Sequence, residues 1–167
     1  MRQAARLPQT FPEFSTKDLD GDAVTSDILA KYNVTMIKFW ATWSQSCVED
    51  MPNMAEVVEY LENSGTTSMG LIGILIDADD EGAISKAGQI LFDAVAYFTQ
   101  LRPSRGMRDY LDALEYIPTT IFVDDEGNLV GPTMIGAHPM SEYLAGFGAA
   151  MEEIMQRMMN DDDDDDD

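Results

Sequence analysis

The chain has 167 residues, 45% hydrophobic and 25% charged, the composition of one globular domain with enough apolar side chains for a sizeable core. No apolar run approaches the roughly 18 residues that span a bilayer, and MRQAARLPQT at the start has no apolar stretch behind its basic residues, so no signal peptide is visible. The net charge of −21, seven of it from Asp161–Asp167, repels nucleic-acid phosphates and anionic lipid headgroups, so neither nucleic acid nor membrane contact is expected of this domain.

Residues 1–10 read as an irregular lead-in, 11–159 as the folded domain and 160–167 as a disordered acidic tail, because consecutive aspartates repel one another and cannot pack. TFPEFSTKDLDGDAV (10–24) alternates and turns at Asp20-Gly21-Asp22, a hairpin signal. SDILAKY (26–32) reads as a short helix capped by Ser26, and VTMIKFWA (34–41) as a strand rich in β-formers. Apolar residues at 47, 51, 54, 55, 58 and 61 mark a helix face, which Asn63-Ser64-Gly65 ends. The continuous apolar run 69–76 fits a strand covered on both faces. DADDEGAISKAGQILFDAV (77–95) opens with acids and continues as a helix, 96–100 is a short strand or the helix end, and 104–114 is a second short helix. TTIFVDDEGNLVGPTMIG (119–136) reads as two antiparallel strands around Glu126-Gly127-Asn128, and 141–159 as an amphipathic closing helix capped by Ser141. A βαβ unit, a hairpin and a last helix predict an α/β domain: a central mixed sheet flanked by helices, with an N-terminal β-hairpin extension.

ATWSQSC occupies the strand-to-helix junction, the end of an open α/β sheet where chemistry collects. With Ser44 as cap, the only cysteine, Cys47, lies in the first helical turn near the positive end of the dipole, a setting that favours a thiolate against the like charges of Glu49 and Asp50. Lys38 interrupts a buried run and needs a partner or a path to water. It is placed to approach Cys47 or Asp50 from beneath and to lower the thiol pKa; the plainer reading is that it snorkels to the surface. For Cys47, which lies on the apolar stripe of its helix, the plainer reading is an inert buried cysteine. Trp40 is expected in the core and Trp43 at a partner groove; His138 suits a turn or cap, and the Met-rich last helix suits core filling. A lone cysteine excludes an internal disulfide and a multi-cysteine metal site. DADDEG (77–82) imitates a calcium loop, but Glu81 and Gly88 stand at ligand positions that need other residues. With no phosphate-binding glycine loop or nucleotide fingerprint either, no metal and no cofactor are expected.

MIKFWATWSQSCVEDMPNM resembles the active-site segment of the thioredoxin superfamily, in its TlpA/ResA-like thiol–disulfide oxidoreductase branch. PEFSTKDLDGDAVTSDIL resembles that branch's N-terminal hairpin, YIPTTIFVDDEGNLVG its cis-proline segment, and GAHPMSEYLAGFGAAMEEI its last turn and helix, together spanning residues 11–158. The resemblance implies a thioredoxin-like fold with Pro118 as the cis-proline. It also implies that Ile117 and Thr119 pair with a bound chain, that Asp50 is the branch's acidic residue, that the redox partner is a protein or small thiol, and that the setting is extracytoplasmic. The departures lie at Ser44, where the branch places its attacking cysteine, and at Ser46, which replaces a common proline. A hydroxyl cannot perform the first thiol's part in dithiol exchange. Three readings follow: a single-cysteine oxidoreductase using Cys47 assisted by Ser44; a redox-inactive peptide- or protein-binding module; and a one-cysteine peroxidase. The third arises because Ser44-x-x-Cys47 also resembles the Thr/Ser-x-x-Cys of peroxiredoxins, although Trp40 and Ala41 stand where their proline is expected and Pro118 where an arginine is.

Overall fold

The structure, a computed structural model, describes residues 7–164. The rest of the lead-in and the last three aspartates lie outside the described residues.

Strands β1 (Ser15–Lys17) and β2 (Ala23–Thr25) form the expected antiparallel hairpin, with Ser15 opposite Thr25. One oxygen of Asp18 accepts the N–H groups of Asp20 and Asp22, each at 2.9 Å, and Gly21 turns the chain at φ 94°, where a side chain would be strained. Residues 26–31 wind as a 3-10 segment capped by Thr25 rather than Ser26. Thr25 ends its strand at φ −118°, ψ 171°, the extended geometry from which a hydroxyl reaches the N–H two residues on.

The main sheet then follows as β3 (Val34–Trp40), α1 (Gln45–Ser64), β4 (Met69–Leu75), α2 (Ala83–Ala94), β5 (Thr99–Leu101), α3 (Arg108–Asp112), β6 (Thr119–Val123), β7 (Met134–Ile135) and α4 (Met140–Asp164). Its order is β5-β4-β3-β6-β7, with β3, β4 and β5 mutually parallel and β6 antiparallel to both neighbours. A single strand at Thr99–Leu101 therefore settles the segment after α2. Pro132, which cannot donate to a ladder, precedes the short β7 and leaves the second hairpin paired only near its turn and at Met134–Ile135.

Every residue of β3 is buried, as a central strand requires. Val34, Met36 and Trp40 pack with Cys47, Met51 and Met54 of α1 and with Tyr143 and Phe147 of α4. Ile37 and Phe39 face the opposite core, with Phe11, Tyr110 and Ile121. By this alternation Lys38 lies on the α1 side. Strand register aligns it laterally with Gly73 and Thr120, and Gly73 with Gln100. Gly73 is required there, because a Cβ would overlap the Gln100 amide, whose oxygen accepts the Trp40 indole N–H at 2.8 Å.

The last helix differs from expectation at both ends. Ser141 lies inside the first turn of α4, where Pro139 O accepts the N–H of Glu142 at 3.0 Å. The helix also continues to Asp164, so the boundary placed at 160 is not where structure ends. No Gly or Pro follows Met159 to stop it, and extending an existing helix needs no new nucleus. Within α1, Pro52 has no N–H to give the Val48 carbonyl one turn back.

Gly73→Ala should lower unfolding stability by about 1–3 kcal/mol, the cost of overpacking a filled interior, measured by urea denaturation.

Candidate active site

The β3–α1 junction is held from both sides. Ser44, in extended conformation at φ −91°, ψ 115°, accepts the Cys47 N–H on its hydroxyl at 3.3 Å and on its carbonyl at 3.1 Å. Ahead of it, the Thr42 N–H donates to both Asp77 oxygens at 3.2 Å and the Thr42 hydroxyl to Oδ2 at 2.5 Å, tying residues 41–44 to the end of β4. The sequence reading gave Asp77 only the role of an acid opening a helix. The residue works instead as the clamp on this loop, and the short distance from the β4 terminus was the one signal for it.

Cys47 is fully buried, while Trp43 is 66% exposed and Ser44 half-buried. Burial pushes the thiol pKa above its ordinary value; the Ser44 hydroxyl, the Ala41 backbone and the Lys38 charge pull the other way with less effect, and Asp50 adds to the rise. Burial thus opposes the expected thiolate: Lys38 acts on Cys47 in the anticipated direction, with less effect than desolvation.

Lys38 does not snorkel. Its ammonium is 2.6 Å from Asp50 Oδ2 and 2.7 Å from the Tyr143 hydroxyl, with both charged side chains wholly buried. The Tyr143 hydroxyl lies 2.9 Å from each Asp50 oxygen, the Asn53 amide donates to Oδ1 at 3.2 Å, and the Tyr143 ring sits 4.2 Å from the ammonium. Burial pushes the Lys38 pKa down while Asp50 opposes it, and burial together with the Asp50 charge pushes Tyr143 well up. Sequence reasoning missed Tyr143; a tyrosine on the core face of an amphipathic helix, needing a partner for its hydroxyl, was the available signal. His138 fills its expected turn role. Its backbone N–H faces the Tyr143 hydroxyl at 3.2 Å, and its ring contacts Glu142 and the Ile135 carbonyl, each at 2.8 Å.

Beyond β3, the Ile117–Pro118 peptide bond is cis, and the pairing of Phe39 with Thr119 sets Pro118 beside the carboxyl end of β3. The Pro118 carbonyl accepts the Gly136 N–H at 2.8 Å. Thr119 cannot pair with a bound chain as expected: it lies in β6 between Phe39 and Ile135, and its hydroxyl donates to Tyr116 O at 2.5 Å. Ile117 remains half-buried at that end of the sheet. No group of three or more His, Cys, Asp and Glu side chains suited to a metal occurs among the described residues.

Residues 7–131 match the family model described as the AhpC/TSA family. The thioredoxin-like protein YneN of Bacillus subtilis is 27% identical over 120 residues, covering 71% of this chain and 66%, just under two thirds, of that relative. StoA of Bacillus subtilis superposes with a TM-score of 0.64 at 18% identity, covering 81% of this chain and 96% of its own. A thiol:disulfide interchange protein of Chlorobium tepidum superposes with 0.65 at 18% identity, covering 87% and 97%. The fold is thioredoxin-like, a mixed five-stranded sheet flanked by helices with an extra N-terminal hairpin.

Asp50→Ala, which strands the Lys38 charge in the core, should cost about 3–5 kcal/mol, whereas the double variant Lys38→Met/Asp50→Leu should recover most of that loss in the same denaturation assay.

Proposed function

Because the chain belongs to the AhpC/TSA family, we propose that it is a TlpA/ResA-like member of the thiol–disulfide oxidoreductases whose own site holds a polypeptide partner without exchanging disulfides with it. The observation that carries this reading is the state of the only thiol: Cys47 is buried with its pKa raised, and the position three residues before it, from which a thiolate would attack, holds Ser44. Exchange needs an accessible thiolate and a second thiol to release the mixed disulfide, and neither is present.

The partner surface that remains is apolar. Trp43 is 66%, Tyr116 47% and Ile135 40% exposed, and β-sheet register puts Ile117 and Pro118 at the same sheet end as Trp43. Large amphipathic rings of this kind gain area on contact with little side-chain entropy to lose. In this reading Ser44 caps α1, Trp43 and Ile117 contact the partner, Pro118 shapes the edge, and Lys38, Asp50 and Tyr143 hold the platform. The setting is extracytoplasmic, following the TlpA/ResA resemblance; no described helix is long and apolar enough to cross a membrane.

A second reading keeps Cys47 as a single redox sulfur exposed by local opening. The Ser44 hydroxyl and the Lys38 charge favour it, since both pull the thiol pKa down. In it, Cys47 forms a mixed disulfide with a protein or small-thiol partner, and an external thiol restores it. Consumption of hydrogen peroxide would select the peroxidase variant of this reading.

Alkylation separates the readings. Folded protein should react with iodoacetamide at least ~100-fold more slowly than unfolded protein, with a midpoint above the thiol's ordinary value. Rapid reaction with a midpoint below about 8.5 would establish the single-cysteine oxidoreductase instead. The native chain should not reduce oxidised glutathione, and Ser44→Cys should gain that activity. Stability has a matching pH dependence. The folded thiol keeps its proton above 9.0, where the unfolded thiol loses it, so stability should fall as pH rises past 9, and Cys47→Ala should remove that part of the slope.

A further inference from the structure

At the edge of the sheet farthest from Pro118, a groove of about 560 Å³ opens between the first hairpin, α2 and β5. The hairpin closes the β5 edge only at its end, where Asp18 bridges Leu101 and Lys17 O accepts the Arg102 N–H at 2.9 Å, and then turns away through Asp18–Asp22. The walls are apolar, from Leu19, Leu91, Tyr97 and Phe98, and the rim carries the carboxylates of Asp18 and Asp20. Arg102, the nearby cation, is spent on the carbonyls of Asp18 and Leu19 at 2.8 and 3.2 Å. Tyr97 is 59% exposed.

Gln100 also lines the groove, at 6% exposure. Its oxygen is taken by the Trp40 indole, which fixes the amide orientation, and its NH2 has no partner among the described residues. That NH2 lies behind the groove wall, so Gln100 and Trp40 together form a fixed floor beneath the β5 edge.

We propose that this groove is a docking site for an extended, lysine-bearing segment of a partner protein, laid along the β5 edge between Tyr97 and Gln100. An edge strand offers main-chain pairing, the aromatic walls take alternate apolar side chains, and the Asp18 and Asp20 rim takes the lysines. The charge of the whole chain, −21, draws a cationic segment to it. Binding here requires neither Cys47 nor Ser44, so it stands or falls apart from the chemistry of the active site.

The probe is a capped hexapeptide alternating valine and lysine, followed by the amide NMR signals of the full chain. The lysine peptide should shift Tyr97, Phe98, Thr99 and Gln100 saturably. Raising salt from about 50 to about 500 mM should weaken binding at least ~5-fold, and Asp20→Lys should weaken it ~10-fold, while Tyr97→Ala should weaken it without altering the salt dependence. Four results would overturn the proposal: no shift at millimolar peptide, equal binding of the same peptide with glutamate for lysine, shifts confined to Trp43, Ser44 and Ile117, or equal binding of n-hexylamine, which would make the groove a small-cation pocket. Concentration-dependent shifts of the same signals without peptide would assign the groove to a second copy of the chain and overturn it as well.

Discussion

The contact between the Lys38 ammonium and the Asp50 carboxylate, closed by the Tyr143 hydroxyl, is the constraint around which the rest is arranged. It places a charge in the central strand, its opposite on α1 and the bridging hydroxyl on α4, so three elements meet at one point. Such a pair gives little net stability, because desolvating both ions offsets most of their attraction. Its effect is on alternatives. Sliding α1 by one residue swings Asp50 through about 100°, leaving two unmatched charges in an apolar interior, whereas a Leu or Met moved the same way finds other contacts. The polar triad therefore fixes the seating of both helices more sharply than the surrounding methionines do.

Cys47 sits within that framework under opposed influences. Helix geometry, the Ser44 hydroxyl and Lys38 all favour charge on sulfur, and exclusion from water opposes it and prevails. The same pattern of residues would behave differently with its sulfur one turn earlier, at Ser44, where the side chain is only half-buried. A serine at 44 in place of the cysteine that the TlpA/ResA resemblance leads one to expect therefore bears on the exposure of the thiol together with the number of thiols. The apolar surface around Trp43 is left as the part of the site still open to a partner.

Much of this was legible in the amino-acid sequence because it is local. The apolar runs of β3 and β4, the stripe of α1, the Ser44 cap and the Asp20-Gly21-Asp22 turn are each encoded within a few residues of where they act. Lys38 was legible as an anomaly, and Asp50 as one of its two candidate partners. The partner that completes the network, Tyr143, lies 105 residues away in the chain, and Asp77 meets Thr42 across 35. Periodicity carries no information about such pairings. Thr119 was misjudged for a related reason: its position beside Pro118 is visible, but occupation of both its strand edges depends on β7, a two-residue strand with almost no pattern of its own. The balance of desolvation against dipole at Cys47 likewise depends on how completely α4 and the sheet exclude water, which no spacing rule reports.

Pro52 gives α1 a property that its length conceals. By withholding a donor from the Val48 carbonyl, it interrupts the ladder directly behind the turn that contains Cys47. The segment from Gln45 to Met51 is then held by its cap, the Thr42–Asp77 clamp, side-chain packing and the Lys38–Asp50 pair. Opening that turn therefore means parting a buried ion pair as well as a cap. The cover over Cys47 is thus fastened by a charge pair in the core, and reagents reach the sulfur only through openings large enough to hydrate both Lys38 and Asp50.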